Sequence, residues 1–232
     1  MATATASAVT MRESQAVMQN LLSASMCEIF YSRKLLPKDC FESVKFAGNT
    51  LHRFKNNLEN PKADTLYRWI KEDVVDALKK KILHRLVLGI FLSPECAEKD
   101  LIESYTFSFG YDGDNCSLDI ETQRHKNKNA KDLPGHESIK QNTQILVRSL
   151  IAMLGTLDEL PQKYFLSIRM HYYHNEEYET FTPHNFRMDP STEDFYGDSS
   201  NDLQIGGFNT GFHSVAVKYI FQHCYDFFDL TL

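Results

Sequence analysis

The chain has no run approaching about eighteen apolar residues, so it offers no candidate membrane-spanning helix. Its start, Met1-Ala-Thr-Ala-Thr-Ala-Ser-Ala-Val-Thr10, lacks the basic opening and apolar stretch of a secretory signal. Cysteine is scarce. Five of them, an odd number without repeating spacing, read as reduced, buried thiols in an intracellular protein. Positive charge is in deficit, 25 Lys and Arg against 31 Asp and Glu, and a net charge of −6 argues against a dedicated nucleic-acid binder. Internal repeats and a dividing linker are also missing. With 232 residues, 42% of them hydrophobic, the chain is expected to form one domain with a sizeable core.

Several motifs of chemistry fail on inspection. Gly206-Gly207-Phe-Asn-Thr-Gly211 is not a phosphate loop, because no Lys-Ser or Lys-Thr follows its last glycine; it reads as a bend or bulge beside a strand. Asp112, Asp114 and Asp119 resemble the start of a calcium loop, yet no glutamate stands at the twelfth position. His171, His174, Glu176 and Glu177 could be grouped as metal ligands. On a strand, however, His171 points to one face and His174 lies past the end, so local geometry does not converge them. His213 and Ser214 are adjacent on an extended chain and point to opposite faces, which rules out a local base–nucleophile pair. Lys79-Lys80-Lys81 with Arg85, and the loop cations Arg124, Lys126, Lys128 and Lys131, read as solvated charge. No catalytic constellation is left, and binding is the expectation.

Periodicity supplies the elements. Residues 1–10 read as a disordered tail. Val17, Met18, Leu21, Leu22, Met26, Ile29 and Phe30 follow helical spacing, predicting a helix from near Arg12 to about Leu35, before Pro37. Residues 37–63 are mixed and end in the turn signal Asn60-Pro61. Asp64 is the expected N-cap of a second helix with Leu66, Trp69, Ile70, Val74, Ala77 and Leu78 on one face. Leu83 to Leu92 reads as a central strand. Ser104–Phe109 and Cys116–Ile120 read as a hairpin about Asp112-Gly113. After a polar loop over 121–136, a third helix is expected from Ser138 to Leu154, with Gly155 as its stop. Such an order predicts an α+β fold, a mostly antiparallel sheet packed against three main helices.

The last third carries the functional signal. Tyr164, Leu166, Ile168, Met170 and Tyr172 alternate with Ser167, Arg169 and His171, the period of a half-buried strand. From His174 to Asp202 periodicity stops. Residues 175–202 hold eight acids against one Arg187, spiked with Tyr178, Phe181, Phe186, Phe195 and Tyr196. Disordered loops are poor in aromatics, so this stretch reads as a segment that docks onto something. A final strand returns over Phe212–Phe221, with Val215, Val217, Tyr219 and Phe221 on one face.

These residues resemble the HORMA domain family, and within it the meiotic chromosome-axis HORMADs. The resemblance is carried by Trp69-Ile-Lys-Glu-Asp-Val-Val-Asp-Ala-Leu-Lys-Lys80, Leu83-His-Arg-Leu-Val-Leu88 with Pro94, and Leu160-Pro161. It continues through Ile168-Arg-Met-His-Tyr-Tyr173, Thr182-Pro183 ahead of Phe186, and Asn209-Thr-Gly-Phe-His-Ser214, and spans roughly residues 14 to 228. Thr210-Gly-Phe-His-Ser214 resembles the meiotic branch, and the compact ending the short nematode type.

The resemblance implies a non-enzymatic adaptor without cofactor or metal. A flexible tail over 1–13 would precede a domain over 14–232, with its core at about 14–173 and a safety belt at about 174–232. Closure-motif peptides of other HORMAD or axis proteins would add to the sheet as a strand under the belt. Tyr164, Leu166, Ile168, Met170, Tyr172, Phe186, Gly211, Phe212, His213 and Val215 are the candidate peptide-binding residues. An AAA+ remodelling ATPase would open the belt by pulling on the tail. The expected setting is the nucleus, on meiotic chromosomes, in homolog pairing, synapsis and crossover control, with no direct sequence-specific nucleic acid and no membrane. Many HORMADs carry a closure motif in a tail beyond the domain. This chain stops at Leu232, so it is either shortened or finds its motif on another protein. A HORMA-type adaptor in a repair or checkpoint assembly, and a metal-dependent hydrolase on His171 and His174, are the competing readings.

Overall fold

The computed structural model describes residues 9–46, 48–112, 134–187 and 201–221. Helix α1 (Met11–Ser32) opens with a reciprocal cap. The Thr10 hydroxyl accepts the Glu13 N–H at 3.3 Å, and the Glu13 carboxylate accepts the Thr10 N–H at 2.8 Å. Its start at Met11 falls inside the segment expected to be tail. Met18, Leu21, Leu22, Met26, Ile29 and Phe30 form its buried stripe.

A hairpin follows where the sequence suggests only mixed structure: β1 (Phe41–Phe46) pairs antiparallel with β2 (Asn49–Phe54). The buried residues of β2, Leu51 and Phe54, lie three apart, so the strand shows no period-2 signal. Asn60, not Asp64, caps the next helix, its side-chain oxygen accepting from the Lys62 and Ala63 N–H groups at 3.0 and 3.1 Å. Pro61 at the first helical position needs no partner for a missing N–H. Asp64 instead pairs with Arg68 one turn on, at 3.0 Å. That helix is α2 (Pro61–Arg68), which widens into a π-helical turn (Trp69–Val74) and closes as α3 (Val75–Lys79).

The five-stranded sheet is antiparallel throughout, in the order β5-β3-β4-β7-β6. Its strands are β3 (Leu83–Phe91), β4 (Leu101–Tyr111), β5 (Phe165–Tyr172), β6 (Asn201–Asn209) and β7 (His213–Phe221). Helix α4 (His136–Leu154) ends at Gly155. Leu86, Leu88, Ile90, Phe107, Phe109, Val215 and Val217 meet the stripes of α1 and α4 in one core. A smaller cluster of Val87, Phe91, Leu101 and Ile220 lies apart from it. The fold is thus α+β, with helices against an antiparallel sheet. The expected strand Cys116–Ile120 lies outside the described residues. β4 is flanked instead by β3 and β7, and β6 is a strand where the sequence suggests only loop and bend.

Candidate functional site: a sheet edge and the segment leaving it

β5 is an outer strand, joined to β3 from Phe165↔Phe91 to Tyr172↔Leu83, and no strand pairs with its other side among the described residues. Every residue of β5 is half-buried. Leu166, Ile168, Met170 and Tyr172, with Tyr164 just ahead, pack against the main core, while Ser167, Arg169 and His171 alternate to the opposite face. Arg169 lies across from Val87, and His171 across from Arg85. An outer strand of this kind presents a backbone edge that another chain can extend.

The chain leaves β5 under restraint. The Tyr173 N–H donates to the Ile82 carbonyl at 2.7 Å, and its hydroxyl to the Phe109 carbonyl at 2.9 Å. Asn175 then caps the short helix α5 (Glu176–Glu179), accepting the Tyr178 N–H at 3.1 Å. The Tyr172 ring meets both Tyr178 and Phe181 at 5.5 Å, and Lys80 sits 5.1 Å over the Phe181 ring. Burial, and then the charge of Asp73, push the Tyr172 hydroxyl well above its ordinary pKa.

Beyond Pro183 the segment docks on the π-helical turn. The His184 and Asn185 N–H groups donate to the two carboxylate oxygens of Asp73 at 2.9 and 2.8 Å. Phe186 packs on Trp69 at 5.6 Å. Asp73 is buried, on the same face as Ile70, Val74 and Ala77. It is absent from the candidate residues read from the sequence, although a carboxylate at i+3 within an apolar i, i+4, i+7 stripe is a readable signal of a buried acceptor.

The C-terminal hairpin stands at the opposite side of the sheet. Gly211, Phe212, His213 and Val215 are three strand spacings from β5, about 14 Å, so the structure does not bring them to the edge that carries Leu166, Ile168 and Met170. They anchor the hairpin instead. Ser14 Oγ lies 2.6 Å from Thr210 Oγ1 and 2.7 Å from His213 Nδ1, all three residues being buried. Burial, aided by Lys81 and opposed by Asp112, holds the His213 imidazole below its ordinary pKa, so it is neutral near pH 7. Gly211, at φ +93°, donates its N–H to Asn209 Oδ1 at 2.6 Å and turns the chain between the strands. Val215 is simply core.

The far end of β7 is fastened as well. The Glu103 carboxylate accepts from Arg33 Nε at 2.8 Å and from the Tyr105 and Tyr219 hydroxyls at 2.9 and 3.1 Å. Arg33 closes the group by donating to the Asp158 carbonyl at 2.7 Å. Hence β7 is tied to the first turn of α1 through Ser14 and to its C-terminal cap through Arg33.

Among the described residues, no three His, Cys, Asp or Glu side chains are grouped to hold a metal. His171 belongs to β5, whereas the His174 ring packs on Tyr178 at 4.6 Å. Asp112 pairs with Lys81 at 2.6 Å; Asp114 and Asp119 lie outside the described residues.

The HORMA domain family model matches residues 14–213. The chain belongs to the HORMA domain family. It is 29% identical over 208 residues to HORMA domain-containing protein 2 of Bos taurus, covering 89% of this chain and 66% of that protein. It is also 29% identical over 244 residues to the meiosis-specific protein HOP1 of Saccharomyces cerevisiae, covering 93% of this chain and 40% of HOP1. The chain therefore spans under two thirds of the length of these relatives. In fold it is similar to C. elegans HTP-2 bound to HTP-3 closure motif 1, with a TM-score of 0.69 at 20% identity, covering 91% of this chain and 87% of that one. A chain of the mitotic checkpoint complex shares the HORMA fold at a TM-score of 0.65 and 13% identity.

Proposed function

We propose that this chain is a non-enzymatic peptide-capturing adaptor of the meiotic chromosome axis. One observation carries the reading. Residues 173–200 connect β5, at one edge of a five-stranded sheet, to β6, at the other, and leave the outer side of β5 without a strand neighbour among the described residues. A partner's closure motif would extend the sheet along β5, its backbone gaining a ladder of hydrogen bonds. Residues from about 174 onward would act as the safety belt, with β6 and β7 as its locked end and 14–173 as the core. The likeness in fold to HTP-2, a protein seen bound to a closure motif, supports this mode. The similarity to HORMA domain-containing protein 2 and to the meiosis-specific HOP1 supports the meiotic setting, and with it the nucleus and the homolog pairing, synapsis and crossover control expected there.

The edge also suggests what it would select. Leu166, Ile168 and Met170 favour apolar residues at alternate positions of the peptide. Arg169 and His171 favour an acid on the other face. Closure motifs of other axis proteins are the partners, and sequence-specific nucleic acid and membranes are not. Release would need an AAA+ ATPase acting on residues 1–13, and the Ser14 contacts give such a pull a path to the β6–β7 turn.

Fluorescence polarisation against tiled peptides of axis proteins tests the function. At least one should bind below about 100 μM, roughly −5.5 kcal/mol. Binding to none of them, or capture only from mitotic rather than meiotic extracts, would overturn the meiotic reading in favour of a repair or checkpoint role.

A further inference from the structure

We infer that Asp73 is the positioning residue that pins the outgoing segment and so sets how long a captured peptide stays; this rests on the proposed function. A buried carboxylate on the apolar face of a helix needs compensating donors. Here the donors described are two consecutive backbone N–H groups, His184 and Asn185, one to each oxygen. The chain delivers them in a defined way. Pro183 has no N–H to offer and a fixed φ, so the first two donors after it are the pair that reaches Asp73. The π-helical turn that carries Asp73 is an uncommon device, frequent at functional sites.

The neighbouring contacts make a patch of this point. Phe186 lies on Trp69, Asn185 Nδ2 reaches Glu72 at 3.4 Å, and Lys80 covers Phe181. Because Tyr172 meets Phe181 and Tyr178, the pinned segment stays against the last residue of β5. Charge-assisted bonds to backbone are also indifferent to the segment's side chains, so one residue can hold the path of the chain while its sequence serves the ligand. The hydrogen bonds of Asp73 go to residues 184–185, and it reaches β5 only through its charge on Tyr172. It acts through residues 184–185.

Amide hydrogen exchange on the free, full chain tests the pin without any peptide. Asp73→Ala should speed exchange at His184 and Asn185 and through 174–187, with β3 and β4 unchanged. Asp73→Asn should recover part of the protection, since its one carbonyl oxygen can still accept. Glu72→Gln should change little. With a peptide that the wild type binds, Asp73→Ala should raise the dissociation rate roughly ten-fold, equivalent to about 1.4 kcal/mol, and leave association equal or faster. Unchanged exchange at 184–185 would overturn the inference. So would faster exchange there with unchanged peptide release, or exchange raised uniformly through β3 and β4. A wild type that binds no peptide would count against the proposed function, while the exchange difference still decides whether Asp73 pins the segment.

Discussion

Ser14 and His213, 199 residues apart in sequence, meet in a buried hydrogen bond of 2.7 Å between Oγ and Nδ1. That contact joins the first turn of the N-terminal helix to the turn of the C-terminal hairpin, and Thr210 shares it at 2.6 Å. Replacing Ser14 by Ala leaves two buried polar groups short of a partner. The expected cost is about 1–3 kcal/mol in urea unfolding. Hydrogen exchange should rise first at Thr210–Ser214. A loss confined to residues 11–20 would mean that the contact does not hold the hairpin.

Acid should act on the same place. His213 has a folded-state pKa below its ordinary 6.5, because burial disfavours the charged ring. Between that lowered value and 6.5 the unfolded chain binds more protons than the folded one, so stability rises with pH across that window. The contribution is present above 6.5 and is lost as pH falls through the folded value. Melting from pH 8 to 5 should show a slope that His213→Gln reduces. An identical slope in both proteins would mean that His213 does not set it.

At the other end of β7, Arg33 neutralises a carboxylate that two buried tyrosines also contact. Arg33→Met strands Glu103 as a buried charge, and unfolding should cost about 3–5 kcal/mol less free energy than in the wild type. Chemical denaturation reads this directly. Changing both partners, Arg33→Met with Glu103→Gln, should return part of the loss.

Gly207 is a place where the hairpin admits no side chain. A Cβ there would stand 2.5 Å from the Val215 carbonyl oxygen, a backbone atom that cannot swing away. Gly207→Ala should therefore separate β6 from β7 and weaken peptide retention. Gly211→Val, strained at φ +93°, should lower peptide binding more than it lowers the melting temperature. Equal losses in binding and melting at Gly211 would assign that glycine to the fold alone.

Sequence periodicity is informative where one face of an element is buried. The stripe from Met18 to Phe30 and the alternation from Leu166 to Tyr172 locate α1 and β5, although α1 stops at Ser32 and not near Leu35. It is silent for β2, where Leu51 and Phe54 fall out of period, and for β6, which is exposed over Asn201–Gln204 and bulges at Gly206, leaving no alternation to read. The site divides in the same way. The edge residues are visible as a pattern. By contrast, the fastening contacts Asp73–His184, Ser14–His213 and Arg33–Glu103 join residues 70 to 199 positions apart, a distance that no local window spans. Gly211–Val215, grouped with the edge in the sequence, hold the opposite side of the sheet.

The proposed belt is open to a kinetic test. Ending the chain near Asp202 removes β7 and its contacts with Glu103 and Ser14. Surface-plasmon traces should then show much faster peptide dissociation, while the full chain associates well below the usual 10⁵–10⁷ per molar per second or so. Fast exchange in the full chain, or no change on truncation, would contradict a locked belt.

If a captured peptide joins the sheet at β5, amide exchange with and without a bound axis-protein peptide shows it most directly. The amides of Phe165–Tyr172 that point away from β3 should slow on binding, and those on the outer side of β6, Asn201–Asn209, should not. Protection appearing along β6, or tight binding that leaves β5 unprotected, would contradict capture at this edge.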